Sequence, residues 1–64
     1  MKDFEGKIIR IYFHATQGSL VCNGYYLKKE GAFLVIRDTL SKKLKYVNEQ
    51  YIRTIEIVGD ADED

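Results

Sequence analysis

Apolar residues in this sequence come in strand-length runs of β-branched and aromatic types, and no segment repeats them at helical spacing over two turns. A chain so patterned has no amphipathic helix to build with and must fold as sheet. Residues 7–14, Lys-Ile-Ile-Arg-Ile-Tyr-Phe-His, place Lys7, Ile9, Ile11 and Phe13 on one parity and Ile8, Arg10, Tyr12 and His14 on the other. This predicts a strand whose core face runs from Ile9 to Phe13. Ala15-Thr16-Gln17-Gly18-Ser19 predicts a turn, with Gly18 free to take a positive φ.

A second strand is expected from Leu20 to about Lys28, with Gly24 in its interior. Glycine weakens a strand and marks a bulge or a sharp bend, the device a small barrel needs to curl. Lys29-Glu30-Gly31 makes the next turn, and Ala32-Phe33-Leu34-Val35-Ile36 reads as a strand buried on both faces. A polar connection over Thr39-Leu40-Ser41-Lys42-Lys43 leads to a short strand at Leu44-Lys45-Tyr46-Val47, although Leu40 has no role in such a loop. Asn48-Glu49-Gln50-Tyr51 is too short for a helix and predicts one 3₁₀-like turn before a last strand from Ile52 to Val58. The expected fold is all-β: a small, five-stranded, strongly bent antiparallel barrel of the SH3-like type over residues 1–58, followed by an acidic, disordered tail over 59–64.

At 64 residues such a domain buries less of its unfolded surface than a larger one and commonly needs a staple. Cys22 is the only cysteine and His14 the only histidine, so neither an internal disulfide nor a four-ligand zinc site can form within one chain. Cys22 reads as a small buried hydrophobe. No cofactor and no metal are expected, which leaves self-association as the route to extra buried surface. The first residues carry no apolar run of signal-peptide length and no segment reaches membrane-spanning length, which predicts a cytoplasmic protein away from membranes. The formal net charge is zero, yet Asp60, Asp62, Glu63 and Asp64 all follow Gly59. Without those four, 10 Lys+Arg face 6 Asp+Glu, so the body carries about +4.

The order of features resembles the Sm-like family, which includes Lsm proteins and bacterial Hfq, across residues 6–57. The resemblance rests on Gly6-Lys7 opening the first strand, on Gly24 with Tyr26 two residues on, on Glu30 and the run Phe33-Leu34-Val35, and on Ile52-Arg53-Thr54-Ile55 in the last strand. The family's uridine-binding Asn falls on Leu34 here, and its Arg-Gly pair falls on Asn48-Glu49, so that pocket does not carry over. The family's N-terminal helix also has no counterpart in the six residues before the first strand. The resemblance implies a divergent Sm-like member that assembles into a homo-oligomeric ring through its fourth and fifth strands. Tudor-like, KOW-like and PRC-like barrels fit the same pattern of strands.

Function is expected from binding. No Ser-His-Asp arrangement and no Gly-rich phosphate loop is present, which speaks against an enzyme. Lysines and arginines interleave with tyrosines, and a barrel with both holds phosphates and stacks bases of single-stranded RNA without reading much sequence. The candidate nucleic-acid contacts are Lys28, Lys29, Lys42, Lys43 and Arg53, with Tyr25 as a stacking platform. Tyr46, Val47, Ile55 and Ile57 are the candidate oligomer interface. The alternative is a protein-interaction or assembly module without nucleic-acid binding, since lysines at turns and strand edges also guard against edge pairing and tyrosines belong to ordinary sheet packing.

Overall fold

The computed structural model describes residues 2–14 and 21–60. A 3₁₀ turn at Lys2–Phe4 leads into β1 (Lys7–Phe13), β2 (Val21–Glu30), β3 (Phe33–Asp38) and β4 (Leu44–Asn48). A second 3₁₀ turn, Glu49–Tyr51, leads into β5 (Ile52–Asp60). All five strands lie in one antiparallel sheet in the order β4-β3-β2-β1-β5. The expected turn at Gly18 lies outside the described residues. The last strand runs two residues past its expected end, because Gly59 pairs with Ile8, Asp60 pairs with Lys7, and the Lys7 ammonium meets the Asp60 carboxylate.

β4 and β5 are the two edges of the sheet, yet only Glu49, Gln50 and Tyr51 separate them in sequence. In a flat sheet the edges would stand four strand spacings apart, roughly 19 Å. The four Cα steps from Asn48 to Ile52 reach at most about 14 Å even when fully extended, and a 3₁₀ turn shortens them further. The sheet must therefore curl until one end of β4 approaches the start of β5. Backbone bonds fix the linking turn from both sides: Glu49 N–H donates to Ala32 O at 2.9 Å, and His14 N–H donates to Tyr51 O at 2.9 Å. No ladder joins β4 to β5 among the described residues.

Three extra residues supply the curvature. Leu27 is unpaired between Tyr26↔Ile36 and Lys28↔Val35, Val58 between Ile8↔Gly59 and Ile9↔Ile57, and Arg53 between Tyr12↔Thr54 and Phe13↔Ile52. Each such bulge bends its strand and increases the local twist. Gly24, expected as the bend, serves another purpose. A Cβ built there would sit 2.8 Å from the backbone oxygen of Arg37 and 3.0 Å from Ile36 Cδ1, so the glycine lets β3 pack close against β2. The bulge itself lies three residues on.

The concave face holds Ile9, Ile11, Cys22, Tyr26, Leu34, Ile36 and Val47, with Phe4, Phe13, Ile52 and Ile55 packed around them. Phe4 meets the Tyr26 ring edge-on at 5.8 Å, which closes the core beneath the N-terminal turn. Burial pushes the pKa of both Cys22 and Tyr26 up. Val35 alternates with Leu34 and Ile36 and so points to the opposite face, yet it is only 2% exposed. The middle of β3 is thus buried on both sides, as its unbroken apolar run predicts.

Gly24→Val should lower stability by more than about 1 kcal/mol, because the new side chain meets backbone that cannot rotate away. Gly59→Ala, whose Cβ would find only Ile8 Cδ1 at 3.9 Å, should leave thermal unfolding nearly unchanged. Equal melting temperatures for the two variants would reject the close-approach account.

Candidate nucleic-acid interface

Residues paired directly across a ladder point to the same face, so the register arranges the convex side into rows. Tyr25, Arg37 and Leu44 form one row across β2, β3 and β4; Lys28, Val35 and Tyr46 form the next, and Glu30, Phe33 and Asn48 the third. The Leu27 bulge sets this arrangement. An unbroken ladder counted back from Glu30↔Phe33 would pair Arg37 with Tyr26 and turn Tyr25 inward. The extra residue shifts the register by one, sending Tyr26 into the core and Tyr25 out beside Arg37.

The β3–β4 connection is built to hold its lysines in place. Asp38 Oδ1 accepts from Leu40 N–H at 2.8 Å and Ser41 N–H at 2.9 Å, while Oδ2 accepts from the Lys45 ammonium at 2.9 Å. These bonds, the Lys45 contact foremost, hold the Asp38 carboxyl well below the usual carboxylate range and raise the Lys45 ammonium in turn. Lys42 N–H donates to Asp38 O at 3.0 Å, and Arg37 Nη1 donates to Lys42 O at 3.1 Å. Within this frame Lys42 takes a φ of 66°, the one positive φ among the described non-glycine residues. That conformation costs an ordinary side chain about 1 kcal/mol or more. It puts the Lys42 ammonium over the Tyr25 ring, 5.8 Å from its centroid. Leu40, without a role in the sequence pattern, projects from the turn 91% exposed.

The structure brings some of the sequence-predicted residues together and keeps others apart. Tyr25 and Lys42 are in contact, and Lys43 follows Lys42 in the same turn. Lys28 lies one row along, its ammonium 3.0 Å from Glu30, which raises its pKa. Lys29 pairs with Leu34, on the core side of the sheet, and meets Glu49 at 2.8 Å. Arg53 is the bulged residue near the start of β5, at the other edge of the sheet, and does not join the Tyr25 cluster. Arg37 belongs to the site without having been singled out for it, because its partner is set by the bulge.

Of the candidate interface residues, Val47 is buried in the core and Ile55 packs against it, so those two could serve a neighbouring copy through strand backbone only. Tyr46 and Ile57 are 54% and 50% exposed. Ile57 faces the core side opposite Ile9, at the open edge of β5.

The charge distribution singles out the same turn. Asp38, Glu30, Glu49, Glu56 and Asp60 each meet a cation, whereas Arg37, Lys42, Lys43 and Arg53 make no ion pair among the described residues. Three of those four uncompensated cations lie between positions 37 and 43, and two of them, Arg37 and Lys42, flank the outward-facing Tyr25. The remaining convex face toward β5 is neutralised: Arg10 bonds Asn23 at 3.0 Å, and Glu56 accepts from Tyr12 at 2.8 Å while meeting Arg10 at 3.7 Å. No family model, curated protein or solved structure matches this chain.

A depressed carboxyl pKa stabilises the fold above the ordinary Asp range, and that stability is lost as pH falls below about 4. Asp38→Ala should therefore melt lower at neutral pH and show a flatter decline through the acid range than the parent. Parallel acid profiles for the two proteins would show that the carboxylate does not hold the turn.

Proposed function

We propose that this chain is a non-catalytic binding protein of the SH3-like barrel type, a divergent Sm-like member, that holds single-stranded RNA and associates with copies of itself. The observation that carries the RNA reading is the Lys42 ammonium over the Tyr25 ring, with Arg37 bonded to the Lys42 carbonyl. An aromatic face stacks on any base, and cations beside it take the flanking phosphates, so the site suits a single strand of loose sequence preference. The strained φ at Lys42 supports a role for its side chain, since glycine would fit that turn with less strain. The barrel reading draws support from the curled sheet, its three bulges and the short tether between its edges.

Self-association draws on the edges. β4 and β5 each leave one row of backbone N–H and C=O groups outside any described ladder, and such edges invite another strand. Ile57 and Val58 on β5 are 50% and 46% exposed, and Leu44 on β4 is 51% exposed. A neighbour pairing β4 with β5 would satisfy both the backbone and the apolar surface, as the Sm-like resemblance implies.

Lys42→Gly should keep or slightly raise the melting temperature while weakening binding to oligouridine, and Tyr25→Ala should weaken it by about tenfold, the scale of one lost base stack. With about three phosphate contacts, affinity should fall roughly twentyfold between about 50 and about 200 mM salt. Absence of binding at low salt would overturn the RNA reading and leave the assembly module in its place. Light scattering should give a multiple of the 7.4 kDa chain mass for the wild type and a smaller, still folded particle for Ile57→Lys. A wild-type particle of monomer mass would overturn self-association.

A further inference from the structure

We infer that the convex face carries a second base platform, Tyr46 with Phe33, so that a single RNA strand bound at Tyr25 continues obliquely across β3 to β4. This rests on the RNA reading of the Tyr25 cluster and extends it to a track. The Phe33 and Tyr46 rings meet edge-on at 6.4 Å and 68°, and remain 40% and 54% exposed. Val35, paired with Tyr46 across the ladder and on the same face as Phe33 two residues before it, is only 2% exposed and gives the patch an apolar floor. The Lys28 ammonium stands in the same row, close enough to Tyr46 to interact electrostatically.

The placement suits a chain with alternating bases and phosphates. Tyr46 lies two strands and one row from Tyr25, about 12 Å away on the spacing of a β-sheet. Arg37 and Val35 occupy the space between them, the first a cation and the second apolar. Along this path Lys42, Tyr25, Arg37 and Tyr46 follow one another, cations interleaved with rings, while Lys28 flanks the path on β2 at the other end of the Tyr46 row, and the row-forming acid is Glu30, already engaged with Lys28. A negatively charged polymer with flat apolar units complements that sequence of groups. The side chains stand perpendicular to the sheet, whereas a second copy pairing along the β4 edge would approach in its plane. Assembly and the track can therefore coexist on one strand.

The test is oligouridine affinity by fluorescence anisotropy for full-length wild type, Tyr25→Leu, Tyr46→Leu and Tyr46→Phe, with particle mass and melting temperature recorded for each. Leucine keeps apolar cover over Val35 but removes the aromatic face, so a loss cannot be assigned to an uncovered core. The track requires Tyr46→Leu to lose about tenfold in affinity for an oligomer of about eight nucleotides, Tyr46→Phe to retain it, and both to keep the wild-type mass. If Tyr25→Leu weakens binding while Tyr46→Leu binds as wild type, the track is wrong and the Tyr25 site stands. If neither substitution changes the affinity, or the wild type does not bind, both readings fall. If Tyr46→Leu instead reduces the particle mass and leaves affinity unchanged, the patch belongs to a copy-to-copy contact and the track is overturned.

Discussion

The three-residue turn Glu49–Tyr51 is the constraint on which the rest of the structure depends. It joins strands at opposite edges of a five-stranded sheet, so no flat arrangement of the ladders is open to the chain. Curling follows from chain length alone, and a concave face able to enclose Ile9, Ile11, Leu34 and Ile36 follows from curling. Local chemistry prepares the turn for this task. The Asn48 side chain accepts from Gln50 N–H at 3.0 Å, capping the 3₁₀ turn and leading directly into β5.

Curvature requires extra residues, and their positions also decide what the outside of the sheet presents. The bulge at Leu27 exchanges the faces of the two adjacent tyrosines, so that one completes the core and the other meets a cation. A shift of one residue thereby couples the shape of the domain to the composition of its surface. The Asp38 turn acts in the same sense: a carboxylate shared by two backbone N–H groups and Lys45 rigidifies the loop, and the loop holds Lys42 in a conformation that a free chain would seldom adopt.

The two faces of the sheet divide the work between stability and binding. Among the described residues the Tyr26 hydroxyl and the Cys22 thiol are the only polar groups on buried side chains, and no buried side-chain nitrogen or oxygen lacks a partner, so the core makes little demand for internal hydrogen bonds and the charged groups are left to the surface. On the convex side the ion pairs lie in two regions, with Arg10 and Glu56 across β1 and β5 and Lys28 with Glu30 on β2, and the uncompensated positive charge is left at the β3–β4 turn. The acidic residues that balance the chain to zero net charge are concentrated at its C-terminal end, so overall neutrality conceals a locally basic surface.

The sequence by itself determined the strands. Alternation placed Ile9 and Ile11 inward, the unbroken run at Leu34-Val35-Ile36 required burial on both faces, and a segment too short for a helix became a 3₁₀ turn, because these outcomes depend on side-chain periodicity within a few residues. The tertiary structure alone decided the role of Gly24, the partner of Arg37 and the separation of Arg53 from the other cations. Gly24 reads as a bend in one strand, but its requirement comes from the Arg37 carbonyl of another. The Leu27 bulge has no marker in the residues around it, since its position answers to curvature imposed by the distant β4–β5 tether. Pairing across a sheet is fixed by where the whole ladder must bend, and no local pattern of residue types carries that information.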